Sequence, residues 1–307
     1  MSGTSDPSES ALRSADPNAP ATCELSVVMP CRNEAGRIAR QLTALAEQTT
    51  TSAWEVVLVD NGSTDATREV ARSFSDRLPR LRIVDASDRA GRHHACNAGV
   101  AHAHGSSILF VDADDVVAPG YLEAMAAALR GHAVVAARLE HSELDEPWMD
   151  GVGSAIQTHG LQEGFGFLPY GAGCSLGIRR EAFDAIGGFH EDATYCEDVD
   201  LSWRAQLSGY HIEFVPDAVV HYQSRPTLSA MYRQHRNYAA AQAYLYRSYR
   251  AAGMPGRPLR AAGAEWWAVV RAVPVLRSRD QVARWTRRAG RCVGRLRGSL
   301  RYRVWYP

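Results

Sequence analysis

The chain contains no lysine; all 34 of its basic residues are arginine. That absence excludes a Walker A phosphate loop, whose lysine reaches the phosphates. It also excludes Schiff-base and pyridoxal chemistry on a lysine amine. Nucleotidyl transfer that relies on a catalytic lysine is disfavoured for the same reason. None of the six cysteines forms a C-x-x-C pair, so no zinc site or disulfide framework is written here and a reducing, cytoplasmic setting is expected. No apolar run reaches the roughly 18–20 residues of a membrane span. The opening "MSGTSDPSES" has no basic stretch followed by an apolar one, so no secretory signal is expected. No G-x-G-x-x-G follows the first apolar run, which removes the dinucleotide-dehydrogenase fingerprint.

What is present is an ordinary globular composition, 46% hydrophobic and 22% charged over 307 residues. It suits one large domain, or one domain with an appendage. The net charge of zero hides a split. Residues 224–307 carry 18 arginines against Glu265 and Asp280, a formal +16, and residues 1–223 carry 16 arginines against 32 acids, a formal −16. Such asymmetry points to an anionic partner for the tail or to docking of the tail on its own domain. The tail has no nucleic-acid recognition motif, and no nucleic-acid partner is expected.

Residues 1–22 are rich in Ser, Ala, Pro and Asp without periodicity, which predicts disorder. Strand-like runs then alternate with helical patterns. "LSVVM" (25–29) precedes a helix near 36–48 and "WEVVLV" (54–59) one near 65–76. "LRIV" (81–84) precedes one near 91–103 and "SILFV" (107–111) one near 119–130. Short apolar runs without polar alternation suit strands buried on both faces, and their alternation with helices predicts a parallel α/β sheet. Residues 141–170 break the rhythm; a connection so long and rich in Gly and aromatics is usually functional. "CSLGIRREAFDAIGGF" (174–189) reads as strand, helix and a Gly-Gly stop, and "CEDVDLSWRAQLSGY" (196–210) as a helix closing at Gly209. Residues 212–222 are extended, and the pattern beyond 226 is helical. The expected division is therefore 1–22, a catalytic domain over 23–224, and a basic helical extension over 225–307.

Ligands of open α/β sheets gather beyond the carboxyl ends of the strands. Four polar clusters fall at such ends: "PCRNE" (30–34), "DNGSTD" (60–65), "DADD" (112–115) and "HYQSR" (221–225). Asp112 and Asp114, two apart, point the same way in extended backbone. They can address one hard divalent cation, Mg²⁺ or Mn²⁺, that carries a diphosphate. Equally, Asp115 can cap the helix that follows. Asn61-Gly62 makes a turn and Ser63, Thr64 or Asp65 caps the next helix, while Asp60 remains able to accept from a base or ribose. Glu197, Asp198 and Asp200 open a helix, where the dipole favours acids, and a transferase needs such a carboxylate to take a proton from an acceptor. His221 reads as a strand-end histidine or a ligand.

Together these segments resemble the family 2 inverting glycosyltransferases of GT-A fold, over residues 25–225. The family's P-x-x-N-E is similar to "MPCRNE", its V-D-x-G-S-x-D-x-T to "VDNGSTDAT", its N-x-G helix to "ACNAGVAHAHG" and its D-x-D to "VDADD". Its G-x-x-x-x-x-R-x-x-F-x-x-x-G-G-F is similar to "GCSLGIRREAFDAIGGF", its E-D-x-D-L-x-x-R to "CEDVDLSWR" and its V-x-H strand end to "VVHYQS". The resemblance implies a Rossmann-like, mostly parallel sheet flanked by helices. It implies that Pro30, Asn33, Glu34, Asp60 and Asn61 hold the nucleotide, with Arg89 or Arg92 on the diphosphate. It places Asp112 near ribose and metal, and Asp114 and His221 on Mg²⁺ or Mn²⁺. Asp198 would be the general base, with Glu197 beside it on the acceptor side. The donor would be a nucleotide-diphosphate-sugar, and the acceptor a hydroxyl of a lipid-linked sugar, a glycan or a metabolite. A non-catalytic nucleotide-sugar-binding scaffold and a nucleotidyltransferase of related fold are the alternatives. The first would lack a base or a ligand, and none is missing. The second would show a Gly-rich basic loop where "PCRNEAGR" stands.

In the tail, Val282, Trp285, Ala289, Val293, Leu296 and Leu300 recur at three- or four-residue spacing, with arginines around them. A basic amphipathic helix with an aromatic anchor suits an anionic bilayer. A peripheral position on the inner face of the plasma membrane is one expectation for this stripe; packing on the catalytic domain is the other.

Overall fold

Strands β1 (Leu25–Cys31) and β2 (Trp54–Asp60) are buried almost end to end in a computed structural model that describes residues 23–78, 80–141, 143–149, 152 and 156–307. The expected disorder of 1–22 lies outside the described residues. β3 (Arg82–Asp85) and β4 (Ser107–Phe110) complete a parallel block with β1 and β2, in register from Leu25↔Trp54 to Cys31↔Asp60 and from Leu25↔Ser107 to Val28↔Phe110. The full sheet, in the order β3-β2-β1-β4-β7-β6-β8-β5, adds β5 (Val116–Val117), β6 (Val134–Glu140), β7 (Leu176–Arg179) and β8 (Ile212–His221). β7 is antiparallel to both β4 and β6, so β6 and β8 again run with β1. The sheet is mostly parallel, as the alternation predicts. β6 and the antiparallel insertion of β7 were not foreseen, because pairing direction depends on where the long 141–170 connection re-enters the sheet.

Helices cover both faces. On one, Val27 and Met29 pack under α1 (Ile38–Ala46) and α4 (Tyr121–Gly131); on the other, Val28 and Val57 meet α3 (Arg92–His102), α5 (Arg180–Ala185) and α6 (Glu197–Leu207). α1 buries Ile38, Gln41, Leu42 and Leu45, the i, i+3, i+4, i+7 stripe of an amphipathic helix. Gln41 is fully buried; it donates to the Asp112 carbonyl at 3.2 Å and accepts from Val117 N–H at 2.9 Å. It thereby fixes the acidic loop against the core. The short α2 (Thr67–Arg72) follows the β2 loop.

The C-terminal extension folds back onto the sheet and its flanking helices as α7 (Leu228–Tyr249), α8 (Leu259–Ala272) and α9 (Arg279–Arg301). Trp203 of α6 is completely buried and meets Phe165, Phe167 and Tyr249 edge to face at 5.5, 5.0 and 5.1 Å. Aromatic pairs of this geometry add about 0.5–1.5 kcal/mol each beyond area burial, so this cluster joins the long connection, α6 and α7.

The tail stripe expected from spacing is not the face of α9 that packs on α7. Leu296 and Leu300 are exposed, while Ala283, Thr286, Gly290, Gly294 and Gly298 are buried against α7. A Cβ on Gly294 would meet the Arg236 carbonyl oxygen at 2.2 Å, and one on Gly298 the Ala240 carbonyl oxygen at 2.3 Å. The glycines let two backbones touch, and close approach outweighs the helix-propensity cost of about 1 kcal/mol per glycine.

Candidate active site

The carboxyl ends of β1, β2 and β4 open onto one edge of the sheet, as the register requires. The loops after β1 and β2 are laced together. Asn33, in left-handed backbone (φ 58°), accepts from Thr64 N–H at 2.8 Å, and its own N–H donates to Ser63 Oγ at 3.0 Å. Glu34 N–H donates to Thr67 Oγ1 at 2.8 Å, and the Glu34 carboxylate pairs with Arg37 at 2.7 Å. Burial, reinforced by Asp114, raises the Glu34 pKa. Pro30 lies within β1 opposite Val59.

Asp60 is fully buried and receives Arg68 Nε at 2.6 Å and Ser63 N–H at 3.2 Å. Asn61 donates to the carbonyls of Ala86 and Arg89 at 2.6 and 2.7 Å and accepts from Gly91 N–H at 2.9 Å. Both side chains therefore shape the loops, where the motif resemblance assigned them to the nucleotide itself. Their polar atoms already have protein partners, as a tight turn in a buried corner demands.

A cavity of about 620 Å³ begins at Arg92 and Asp112, passes Glu197 and Asp198, and ends on α7. Arg92 forks onto Asp112 with Nε at 3.0 Å and Nη2 at 2.9 Å, and its Nη1 stands 3.9 Å from Glu197 Oε1. Gly173 makes room for it, since a Cβ there would lie 2.9 Å from Arg92 Nη1. Arg89, the other cation expected here, turns to Glu191 and does not line the cavity. Asp198 accepts from Gly173 N–H at 2.9 Å and from Val199 N–H at 2.8 Å, one bond on each oxygen. Burial raises its pKa against the opposing pull of Arg92 and those backbone donors. Glu197 is pushed up to about 7 by burial, opposed by Arg92 and reinforced by Asp198. Its Oε2 is buried without a hydrogen-bond partner, and so is Arg92 Nη1. Asp200, third in the cluster, is structural: Arg204 donates to it at 2.8 Å and the Tyr249 hydroxyl at 2.6 Å.

The expected metal set does not assemble as one cluster. Asp114 faces Arg225 at 2.7 Å and Arg37 at 3.8 Å, and His221 Nδ1 lies 3.7 Å from Glu140. Arg225, four residues beyond His221, supplies the charge compensation that a cation was expected to give. Among the described residues, the three side chains whose donor atoms lie within 4.8 Å of one another are Asp112, Asp115 and Cys174. Asp115 accepts from Gln223 N–H at 2.8 Å on one oxygen and is buried without a partner on the other. Its pKa is raised by burial and then by Asp112 and Asp114. Carboxylate oxygens in surplus, one of them orphaned, fit a hard divalent cation of the Mg²⁺ or Mn²⁺ kind.

Residues 26–187 match the family model "Glycosyl transferase family 2", and residues 107–278 match "Glycosyl transferase family group 2". The chain belongs to glycosyl transferase family 2. This glycosyltransferase is 30% identical over 239 residues to the succinoglycan biosynthesis protein ExoA of Rhizobium meliloti, covering 75% of the chain and 72% of that relative. It is 28% identical over 219 residues to the glycosyltransferase AglE of Haloferax volcanii, covering 69% and 71%. With the validoxylamine A glucosyltransferase of Streptomyces hygroscopicus subsp. jinggangensis it shares 41% over 219 residues, 60% of the chain and 52% of that protein. Its GT-A fold is that of S. aureus TarS 1-349 (TM-score 0.54, 20% identity, 92% of this chain and 93% of that one). The mannosyltransferase PcManGT of Pyrobaculum calidifontis, solved with GDP-Man and Mn²⁺, superposes with a TM-score of 0.58 at 21% identity, over 89% and 87% of the two chains.

The far wall of the glycosyltransferase cavity escaped sequence reasoning. Gln234, Tyr238 and Gln242 of α7 line it together with His235. Their i, i+4, i+8 spacing was the available signal, a polar stripe on a helix that otherwise reads as tail. Arg287 Nε donates to His235 Nε2 at 2.7 Å, and burial with Arg287 and Arg291 lowers the His235 pKa to about 3. That histidine is neutral. Tyr195, just before α6, is 51% exposed at the cavity with φ 68°. Left-handed backbone at an aromatic residue is strain of the kind that collects at binding sites.

Proposed function

We propose that this glycosyltransferase moves a sugar from a nucleotide-diphosphate-sugar to an acceptor hydroxyl in one inverting displacement, with Asp198 as general base. The observation that carries this reading is the oriented, half-buried Asp198 carboxylate on the cavity between Arg92 and α7. Backbone donors hold both its oxygens in place, and each still has a lone pair. The acceptor O–H proton passes to Asp198, the oxygen bonds to the anomeric carbon, and the diphosphate leaves from the opposite face. Arg92 and Arg225 offset charge on the departing diphosphate. Asp112 and Asp115 would hold a Mg²⁺ or Mn²⁺ ion, which when bound neutralises the same charge, while Asp114 stays with Arg225. Solved neighbours in complex with UDP-GlcNAc, and with GDP-Man and Mn²⁺, support a nucleotide-sugar donor and a metal of this class.

The α7 wall is mostly uncharged, with two glutamines, a tyrosine and a neutral histidine, and Arg233 is the cation it adds to the lining. Amides and an aromatic face suit the ring of an uncharged sugar or polyol, carried by a glycan, a lipid or a metabolite. A second reading has Glu197 as the base, favoured by its unpartnered Oε2 and its pKa near 7. Thermal melts against a panel of nucleotide-diphosphate-sugars, with Mn²⁺ and with EDTA, test the donor. One donor raises the melting temperature by linkage, more with Mn²⁺. Stabilisation by none of them would sink the proposal. Full activity in EDTA would remove the metal.

A further inference from the structure

The apolar surface of the extension is distributed unusually. Among the described residues, most of the exposed large hydrophobics lie after residue 258. On α8, Leu259, Trp266, Val270 and Val273 follow one another at seven, four and three residues and are 66%, 41%, 61% and 53% exposed. Trp267 beside them is 64% exposed. Helical spacing puts the first four on one stripe. The neighbouring face of α8 is the one that packs: Val269 is buried against Ala289 and Cys292 of α9, and its carbonyl accepts from Trp285 Nε1 at 2.9 Å.

α8 and α9 are antiparallel, because Glu265 meets Arg295 and the Arg257 guanidinium, just before α8, reaches the Pro307 carbonyl at 2.6 Å. That pairing brings Leu259 level with the end of α9, where Leu296 and Leu300 are 45% and 73% exposed. An apolar face of this extent is uncommon on a protein that stays free in water.

The charge around it has one sign. Arg260, Arg271 and Arg277 are exposed at the ends and on the side of α8, and Arg284, Arg288, Arg297 and Arg301 along α9. The two side-chain carboxylates after residue 258 are neutralised within the layer. Glu265 pairs with Arg257, Arg291 and Arg295, and Asp280 with Arg284. Exposed tryptophan and aliphatic side chains ringed by uncompensated arginine match a surface with an apolar interior and anionic headgroups.

We infer that the α8 face, continued by Leu296 and Leu300, docks this enzyme on an anionic bilayer. Of the expected tail stripe, Leu296 and Leu300 alone belong to the contact. α9 is the platform that holds α8 outward, and its glycine face is already occupied by α7. The inference stands independently of the proposed reaction, since it concerns a different surface and needs no turnover. It also accounts for a chain that has apolar exposure yet no helix among the described residues long and apolar enough to cross a membrane.

The test is co-sedimentation of the full chain with phosphatidylcholine vesicles, with and without phosphatidylglycerol. Deleting 280–307 would strip the layer that packs on α7, so surface variants replace truncation. Wild type should pellet with the anionic vesicles and not with the neutral ones, and raising the salt should release it. Trp266→Ser with Trp267→Ser should weaken binding about tenfold or more with an unchanged melting temperature, because both side chains are exposed. Arg260→Gln with Arg271→Gln should weaken it less and flatten the salt dependence. Three results would overturn the inference: wild type left in the supernatant, equal binding to neutral vesicles, or a tryptophan variant that binds like wild type. Size-exclusion chromatography covers the remaining occupant. A dimer abolished by the tryptophan variant, without vesicle binding, would assign this face to a second copy.

Discussion

Two corners of the sheet's carboxyl edge solve opposite problems with similar residues. At the β1–β2 end, Asp60, Asn61, Asn33 and Asp65 bond one another's loops, and the polar atoms meet protein partners. At the α6 end, Arg92 Nη1, Glu197 Oε2 and Asp115 Oδ2 are buried without hydrogen-bond partners, and carboxyl pKa values are raised. A buried polar atom without a partner costs about 1–3 kcal/mol, and two of these, on Arg92 and Glu197, line the cavity, where a ligand can satisfy them. The first end is a preformed shelf. The second holds its charges ready.

The comparison breaks most decisively at Asp198. Asp198→Asn should lower turnover at least ~10²-fold, the scale of a lost general base. Nucleotide affinity should hold within about threefold. Nucleotide release assays and titration calorimetry measure both. If Glu197→Gln instead shows the larger loss, the base belongs one residue earlier.

Next in size is the packing that delivers α7 to the cavity. Gly294→Leu drives a side chain into the Arg236 backbone and should cost about 3 kcal/mol, near the upper end for overpacking. Denaturant melts measure it. A melt like wild type would show that α9 does not press on α7.

Asn61→Ala tests the shelf. It removes three internal hydrogen bonds and should cost about 2 kcal/mol. The loss should appear in stability before it appears in affinity for the nucleotide. A stable protein that no longer binds nucleotide would return Asn61 to direct contact.

The smallest effect is the pH dependence from Glu197. Its folded pKa, about 7, lies above the ordinary 4.5, so the stability linked to it is present below the unfolded pKa and is lost as pH rises through about 7. Glu197→Gln removes that loss. The variant should gain on wild type as pH rises from 5 to 8, by a few degrees in melting temperature. A gap that does not widen over this range would show that the carboxyl is not held neutral.

Local signals were enough for part of this. The unbroken apolar runs, each followed by a helical period, determined the parallel block β1–β4 and its flanking helices, because burial on both faces leaves no polar alternation. Motif order placed Glu197 and Asp198 at a helix start beyond a strand edge, where they are found. Spacing cannot say which partner a polar atom takes. Asp60 and Asn61 read as ligands and are loop-builders; Asp114 reads as a metal ligand and faces Arg225. His235 and Tyr238 read as tail and line the cavity. In α9 the apolar residues marked the face that meets α8, through Trp285 and Ala289, and missed the face that meets α7, since glycine contributes nothing to a hydrophobic stripe yet permits the closest packing. Sequence determined which segments are strands, which are helices, and where acids concentrate. Only the tertiary structure decided which acids are neutralised by arginine, which are left unpartnered, and which helix closes the cavity, because those outcomes depend on distances between residues far apart in the chain.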